Sequence, residues 1–406
     1  MDVIIKKSRA CGTVDAPPSK SFAHRLIICA SLAGNSEVQG VEGSEDILAT
    51  LDCAAACFGA KYEKNDENYV FSESDVQGKA KGALMCRESG STMRFFIPLC
   101  LVKNTECLLY GSEKLLTRPL TVYEDICREQ GISFSHEGDK IRVCGPLKSG
   151  VFTVPGNISS QFISGLMFAL PLLSGDSEIK IVPPLDSKPY IDITMEALAK
   201  FGVSAVWKDE LTIYIKGDQK YTPARERVEG DFSNAAFLSA LDVIGGDVTV
   251  ENLNENSTQG DKAYIEQFRA LCSGTPTINI SDCPDLAPIL MSVAAVKNGV
   301  TLTGTARLKI KESDRGAVMA EELAKFGVPV TVEEDTITVE GGHFREPSET
   351  LDGHNDHRVV MSMAVLCTLT GGKITGAQAV KKSYPTFFDV IKKLGIEVFE
   401  SGNSEK

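Results

Sequence analysis

No apolar stretch of the chain approaches the roughly 18 residues that a membrane-spanning helix needs. The first twenty residues, MDVIIKKSRACGTVDAPPSK, hold a four-residue apolar patch and lack the longer apolar core of a secretory signal. Both absences point to a cytoplasmic protein. Twelve cysteines are present, yet no C-x-x-C pair occurs among them. Six (Cys29, Cys53, Cys57, Cys100, Cys272, Cys367) sit inside apolar runs, and the cysteines read chiefly as reduced core residues. His354 and His357 lie three apart in GHNDHR, but neither an H-E-x-x-H pattern nor a cysteine accompanies them, and no metal is expected. Positive charge is also scarce: 42 basic against 55 acidic residues leave a formal charge of −13, which argues against an ordinary basic nucleic-acid surface. Any anion site must be local.

What is present is ordinary soluble composition, 43% apolar and 24% charged, in 406 residues, a length that suggests two domains. EALAKFGVSAVWKDELTIYIKG (196–217) and EELAKFGVPVTVEEDTITVEGG (321–342) share one layout: amphipathic helix, glycine stop, strand, charged turn, strand. Glycines of this kind recur at 59, 131, 202, 274, 327 and 395, at intervals of 72, 71, 72, 53 and 68 residues, each placed to end a helix in the left-handed conformation. A second series, PPSKSFAHR, RESGSTMRF, PGNISSQFI, EGDFSNAAF, SDCPDLAPI and GHNDHRVVM, opens an apolar helical run in each unit. The pattern predicts an α/β fold of six β-α-β-α-β-β units, the fourth trimmed, with three units in each of two similar domains. Hinges are expected at APPSK and at the EGD of 229–231, which divides the chain into 20–227 and 1–19 plus 228–406.

Chemistry concentrates at the helix starts. In PPSKSFAHRLIICASLAG, Phe22, Leu26 and Ala30 mark an apolar face separate from one bearing Ser21 and Arg25. Ser19 suits the N-cap, and the first-turn N–H groups with Lys20 and Arg25 would favour an anion; solvated cations on a surface helix are the plainer alternative. PGNISSQF offers Ser159, Ser160 and Gln161 as an uncharged cradle, of which capping explains only Ser159. Gly90 in RESGSTMRF marks either close backbone approach by a ligand or a simple turn. Second helices start at LLTRPL (Arg118), LDSKPYIDIT (Ser187, Tyr190), IKESDR (Lys311, Glu312, Arg315) and KKSYP (Lys382). The K-E-S-D-R run has the charge density of a site where acid–base work accompanies anion binding. Asp285, before an apolar helix, is a cap or a general base, and in NDHR an Asp356 that orients His357 beside Arg358 fits either an anion site or a cap network.

Taken in order, PPSKSFAHR, ESGSTMR, LLTRPL, PGNISSQF, LDSKPYIDIT, DCPDLAP, KIKESDR, HNDHR and KKSYP resemble the enolpyruvylshikimate-phosphate synthases, from the first helix almost to the C-terminus. The resemblance implies an inside-out α/β barrel arrangement of three repeats per domain and an active site in the cleft between domains. It also implies a monomer that uses no cofactor and takes two small molecules, shikimate 3-phosphate and phosphoenolpyruvate. By similarity Lys20 would touch both substrates. Ser21, Arg25, Ser159, Ser160, Gln161, Ser187, Tyr190, Asp285 and Lys311 would bind shikimate 3-phosphate, mainly through the 20–227 domain. Gly90, Arg118, Gln161, Arg315, Arg358 and Lys382 would serve phosphoenolpyruvate, with His357 beside the phosphate-binding arginine. Asp285 would handle the 5-hydroxyl proton, Glu312 would protonate the methylene carbon, and Lys311 would steady the oxygen.

Two positions depart from the family pattern: Glu88 and Arg307 stand where some relatives have asparagine, so contacts there do not carry over. The related transferase acting on UDP-N-acetylglucosamine would show K-N-A at the first motif and a reactive cysteine before Arg118; this chain reads YGSEKLLTRP, without one. A non-catalytic binder of phosphorylated metabolites would lack one of the two carboxylates, Asp285 or Glu312, and both are present.

Overall fold

The repeat written in the sequence is built five times as one four-stranded sheet. In the third unit, Val151–Pro155 and Ser177–Val182 lie parallel, joined through the helix Ser160–Ala169. The helix Lys188–Lys200 then leads into the hairpin Ala205–Asp209/Thr212–Ile215, whose second strand returns antiparallel beside Ser177–Val182. Alternation sets the register: Ile179 pairs Ile213, and both are fully buried, while Lys180 points to the other face. Sheets of the first, second, fifth and sixth units repeat this order.

Described by the computed structural model are residues 1–76, 78–80 and 82–401. The chain forms two compact domains, Lys20–Glu229 and Met1–Ser19 with Gly230–Lys406, each around its own apolar core. Borrowed strands account for this division. Arg225–Arg227 supplies the first strand of the first unit, parallel to Ser36–Gln39. Asp2–Ile5 is the last strand of the sixth unit, between Gly372–Thr375 and Val398–Ser401, and Cys11–Asp15 runs parallel to Asp247–Glu251 in the fourth. Pro18 bridges Gly230, and the Asp231 N–H donates to Pro17 O at 2.7 Å, so the two chain segments that leave this domain are tied side by side.

Among the described residues the fourth unit has only that two-stranded sheet and no hairpin. The glycines show the consequence. Gly59, Gly131, Gly202, Gly327 and Gly395 all have φ between +59° and +87°, the left-handed turn that reverses the chain into a hairpin. Gly274 instead has φ 172°, extended backbone that runs straight on to Thr277–Asn279 of the next unit.

The first helix of each unit is buried on every side, as expected where its apolar residues surround the axis. Ala287–Val296 is buried at all but its last position, and in its domain it packs on both Phe232–Val243 and His357–Thr370. Truncating such a residue, Leu290→Ala for example, would cost about 2–5 kcal/mol. This corrects two expectations. Ser21 and Arg25 were to mark a face distinct from the buried one, but Arg25 is as enclosed as Phe22, because the helix Lys20–Ala33 sits in the core. Cys272, read as a core thiol, is exposed on the outward side of Tyr264–Ser273, the helix left uncovered where the fourth unit lacks its hairpin; Cys29, Cys53, Cys57, Cys100 and Cys367 are buried thiols. Among the described residues no helix is long and apolar enough to cross a membrane.

Candidate active site

In the domain Lys20–Glu229, the helix start at Lys20 brings three functional groups together. Lys20 Nζ donates to Asp46 Oδ2 at 2.9 Å, with both side chains largely enclosed. Arg25 donates from Nε to Thr194 Oγ1 at 2.7 Å, from Nη1 to the Ser21 carbonyl at 2.6 Å, and from Nη2 to the Tyr190 carbonyl at 3.0 Å and Ser164 Oγ at 3.4 Å. Its guanidinium also lies over the Phe95 ring. These acceptors are neutral, and burial lowers the guanidinium's pKa to about 10. Arginine holds its charge even so, and that charge meets dipoles here where a carboxylate would ordinarily pair with it.

Around Gly90 the arginines crowd closely. A Cβ built there would lie 2.9 Å from Arg118 Nη1 and 3.1 Å from Arg94 Nη1, so the missing side chain is what lets both guanidinium groups approach the start of the helix Gly90–Val102. Arg94 Nη1 donates to Gln161 Oε1 at 2.8 Å, and Gln161 Nε2 to Ser91 Oγ at 2.9 Å. Ser159 caps the helix Ser160–Ala169 by accepting from the Gln161 N–H, as its sequence position suggested. Ser160 is buried beside it. Ser187 is also buried, with φ +58° at the start of Lys188–Lys200, a left-handed conformation that serine seldom adopts outside constrained sites.

The other domain gathers opposite charges. Asp285 Oδ1 accepts from Lys311 Nζ at 3.2 Å and Arg315 Nη1 at 2.8 Å, while Oδ2 accepts from Arg358 Nη2 at 3.0 Å. Arg315, 1% exposed, also donates to Glu312 Oε2 at 2.7 Å and from Nε to Asp356 Oδ2 at 2.9 Å. Arg358 Nη1 donates to Ser233 Oγ at 2.7 Å. Burial alone would raise the Asp285 carboxyl; Arg358, Lys311 and Arg315 outweigh it and hold the group well below the usual carboxylate range. Desolvation lowers the Lys311 ammonium, with Asp285 opposing. Lys382 Nζ donates to the Asn355 carbonyl at 2.8 Å.

Asp356 takes the cap role and does not turn to His357. His357 Nδ1 is 4.0 Å from its Oδ1, whereas its carboxylate receives Arg315, Ser313 Oγ at 3.0 Å and the Arg358 N–H at 2.9 Å. It caps the helix His357–Thr370 and braces the arginines. A guanidinium can grip a buried carboxylate at two points, which a single ring nitrogen cannot.

Sequence reasoning passed over Asp46, Ser233, Gln259 and the polar chain His24–Thr50–Thr92–Ser89, whose successive contacts are each 2.7 Å. Gln259 is buried and receives the Phe232 N–H at 3.1 Å and the Ser19 hydroxyl at 3.3 Å. A signal for two of them existed. Asp46 in GSEDI and Gln259 in STQGDK sit before or within the start of the second helix of units one and four, the position that carries Arg118, Ser187, Lys311 and Lys382 in the other four.

Comparison with known proteins agrees with the motif order. The profile of the EPSP synthase (3-phosphoshikimate 1-carboxyvinyltransferase) family matches residues 4–391. A 3-phosphoshikimate 1-carboxyvinyltransferase of Clostridium acetobutylicum is 40% identical over 413 residues, covering 96% of each chain, and one of Clostridium perfringens is 40% identical over 419, covering 97% of this chain and 98% of the relative. The EPSP synthase structure from Acinetobacter baumannii superposes with a TM-score of 0.80 at 25% identity, covering 98% of this chain and 99% of that one. With the family match spanning nearly the whole chain, the protein belongs to the EPSP synthase family.

Proposed function

We propose that the protein transfers the enolpyruvyl group of phosphoenolpyruvate to the 5-hydroxyl of shikimate 3-phosphate and releases inorganic phosphate. The observation that carries this reading is the Asp285–Lys311–Glu312–Arg315–Arg358 cluster: two carboxylates in different settings, bound to cations able to grip a second anion. Ser159, Ser160, Gln161, Ser187, Tyr190, Ser21 and Arg25 take shikimate 3-phosphate. Gly90 and Arg118, with Arg315, Arg358 and Lys382, take phosphoenolpyruvate, and Lys20 contacts both. Both constellations serve this one reaction, in a soluble monomer of the cytoplasm; the acidic overall charge and the absence of a long apolar run support that setting.

Chemically, Glu312 gives a proton to the methylene carbon as the 5-hydroxyl oxygen bonds to the adjacent carbon, and the hydroxyl proton passes to Asp285, with Lys311 beside it. The tetrahedral intermediate then expels phosphate, which takes up the proton held by Asp285, and the methyl group returns a proton to Glu312. A carboxylate held by three cations is a weak base. The incoming phosphate and carboxylate compete for Arg315 and Arg358, and each arginine drawn to substrate releases part of its hold on Asp285, which raises that group's proton affinity when it is needed. Arginine's planar fork suits this exchange of one bidentate anion for another.

Phosphate release measured with both substrates, and with each omitted in turn, tests the reading. Release only when both are present is expected; none with both, or equal release from phosphoenolpyruvate alone, would contradict it.

A further inference from the structure

Glu322 has no part in that chemistry, yet its carboxylate is fully buried. It lies two helical turns beyond Arg315 on Arg315–Lys325. Its Oε1 accepts from Lys325 Nζ and contacts His354 Nε2, both at 2.8 Å, and its Oε2 accepts the Asp352 N–H at 3.0 Å. Glu321, Glu322 and His354 could together offer ligand atoms to a metal. The Lys325 ammonium already occupies the same Oε1, so the group holds a cation of its own.

What this carboxylate restrains is a turn of unusual backbone. His354 and Asn355 have φ +48° and +52°, two successive non-glycine residues in the left-handed region. Asparagine and histidine tolerate that region better than most residues, but consecutive positions there persist only when their surroundings fix them. The Asp352 side chain accepts the His354 N–H at 2.7 Å, which adds a second restraint. The same turn delivers two groups to the site: the Asn355 carbonyl that receives Lys382, and Asp356, which braces Arg315.

We propose that Glu322 and His354 act as positioning residues, a latch that fixes the 352–356 turn and through it sets Lys382 and Arg315 for phosphoenolpyruvate. The inference rests on the assignment of those two cations to phosphoenolpyruvate. Neither latch residue touches the reacting atoms. Their loss therefore weakens phosphoenolpyruvate selectively and leaves shikimate 3-phosphate, assigned chiefly to the other domain, nearly unaffected.

The test uses the full-length enzyme and two variants. His354→Asn keeps a residue at ease in the left-handed region but too short to reach Glu322. His354→Gln fits that backbone less well but can place an amide N–H on the same carboxylate. For His354→Asn the expected result is a KM for phosphoenolpyruvate raised about tenfold, the scale of one lost charge-assisted hydrogen bond, with the KM for shikimate 3-phosphate nearly unchanged and the Tm lowered by a few degrees. His354→Gln should recover most of the loss despite its poorer backbone fit. An unchanged phosphoenolpyruvate KM in His354→Asn, an equal rise in both KM values, or a glutamine variant no better than asparagine would each overturn the latch. Absence of turnover in the wild-type enzyme would overturn the underlying assignment instead, so the two failures are separable.

Discussion

Two buried arginines, one in each domain, are held in opposite ways. Arg25, in Lys20–Glu229, gives its hydrogen bonds to hydroxyls and carbonyls, and burial lowers its pKa to about 10. Arg315, in the other domain, faces Asp356, Glu312 and Asp285, which together overcome the cost of burial and raise it. A guanidinium held by dipoles retains net charge for an anion to neutralise, whereas one already matched by carboxylates must exchange partners before it can hold a substrate. The first arrangement suits ground-state binding. The second couples binding to a change in the carboxylates' proton affinity, which is what an acid–base pair requires.

The largest effects should therefore come from the carboxylates of the second cluster. Asp285→Asn and Glu312→Gln are each expected to lower kcat by about 10²–10⁴-fold, the range of general acid–base contributions, while titration calorimetry still finds shikimate 3-phosphate bound with an affinity near wild type. If either variant instead lost that binding and kept its turnover, the division of labour between the two domains would be reversed.

Next in size is Arg25→Met. Thr194 and Ser164 already contact each other at 2.7 Å, and Thr194 Oγ1 donates to the Tyr190 carbonyl at 2.9 Å, so part of the shell around the lost guanidinium stays paired. Affinity for shikimate 3-phosphate should fall by roughly 10–100-fold, equivalent to about 1.5–3 kcal/mol for a charge-assisted bond, with the fold retained by circular dichroism. An unaltered affinity would remove Arg25 from the site.

Gly90→Ala should have a smaller effect. Its methyl would meet the ends of the Arg118 and Arg94 side chains, which can retreat by a few tenths of an ångström. A few-fold rise in the KM for phosphoenolpyruvate is expected, on the order of 1 kcal/mol or less, and a larger rise in the inhibition constant of the bulkier analogue glyphosate. Equal constants in both proteins would place Gly90 away from the ligand.

Most of this architecture was legible because the repeat is written in turn chemistry. Gly202 and Gly327 end their helices and reverse the chain as the sequence suggested. The short interval around Gly274 marked the unit whose hairpin is absent. Identities at helix starts marked many of the charged groups, because those positions serve no packing purpose that would require Lys311 or Arg315. What could not be read was partner choice. Nothing in NDHR says whether Asp356 turns to its neighbour His357 or to Arg315, 41 residues earlier; tertiary folding brings the guanidinium in, and charge decides. Asp46 and Gln259 stand at the same second-helix start, but an acid in a first turn and an uncharged amide before one read as ordinary helix-start chemistry.

A last effect, on stability and not on binding, separates the domains by pH. His24 is buried in Lys20–Glu229, its Nδ1 2.7 Å from Thr50 Oγ1 and its Nε2 without a hydrogen-bond partner among the described residues; burial, then Lys20 and Arg25, hold its pKa well below the usual 6.5. The folded protein thus refuses a proton that the unfolded chain accepts. Stability from this residue is complete above about pH 6.5 and falls as pH drops from there toward the folded value, with a slope of at most about 1.4 kcal/mol per pH unit. Asp285 and Asp356 are depressed carboxyls, so their contribution is complete above about pH 4, the unfolded value, and is lost only below it. His24→Asn keeps a polar atom near the Nδ1 position for Thr50 and never ionises. Urea unfolding between pH 7.5 and 3 should show the wild type weakening from about pH 6.5 downward, the variant holding flatter until about pH 4, and both then falling together. Parallel curves over the upper window would mean that the fold admits a proton at His24 and that this buried ring does not set the domains' acid responses apart.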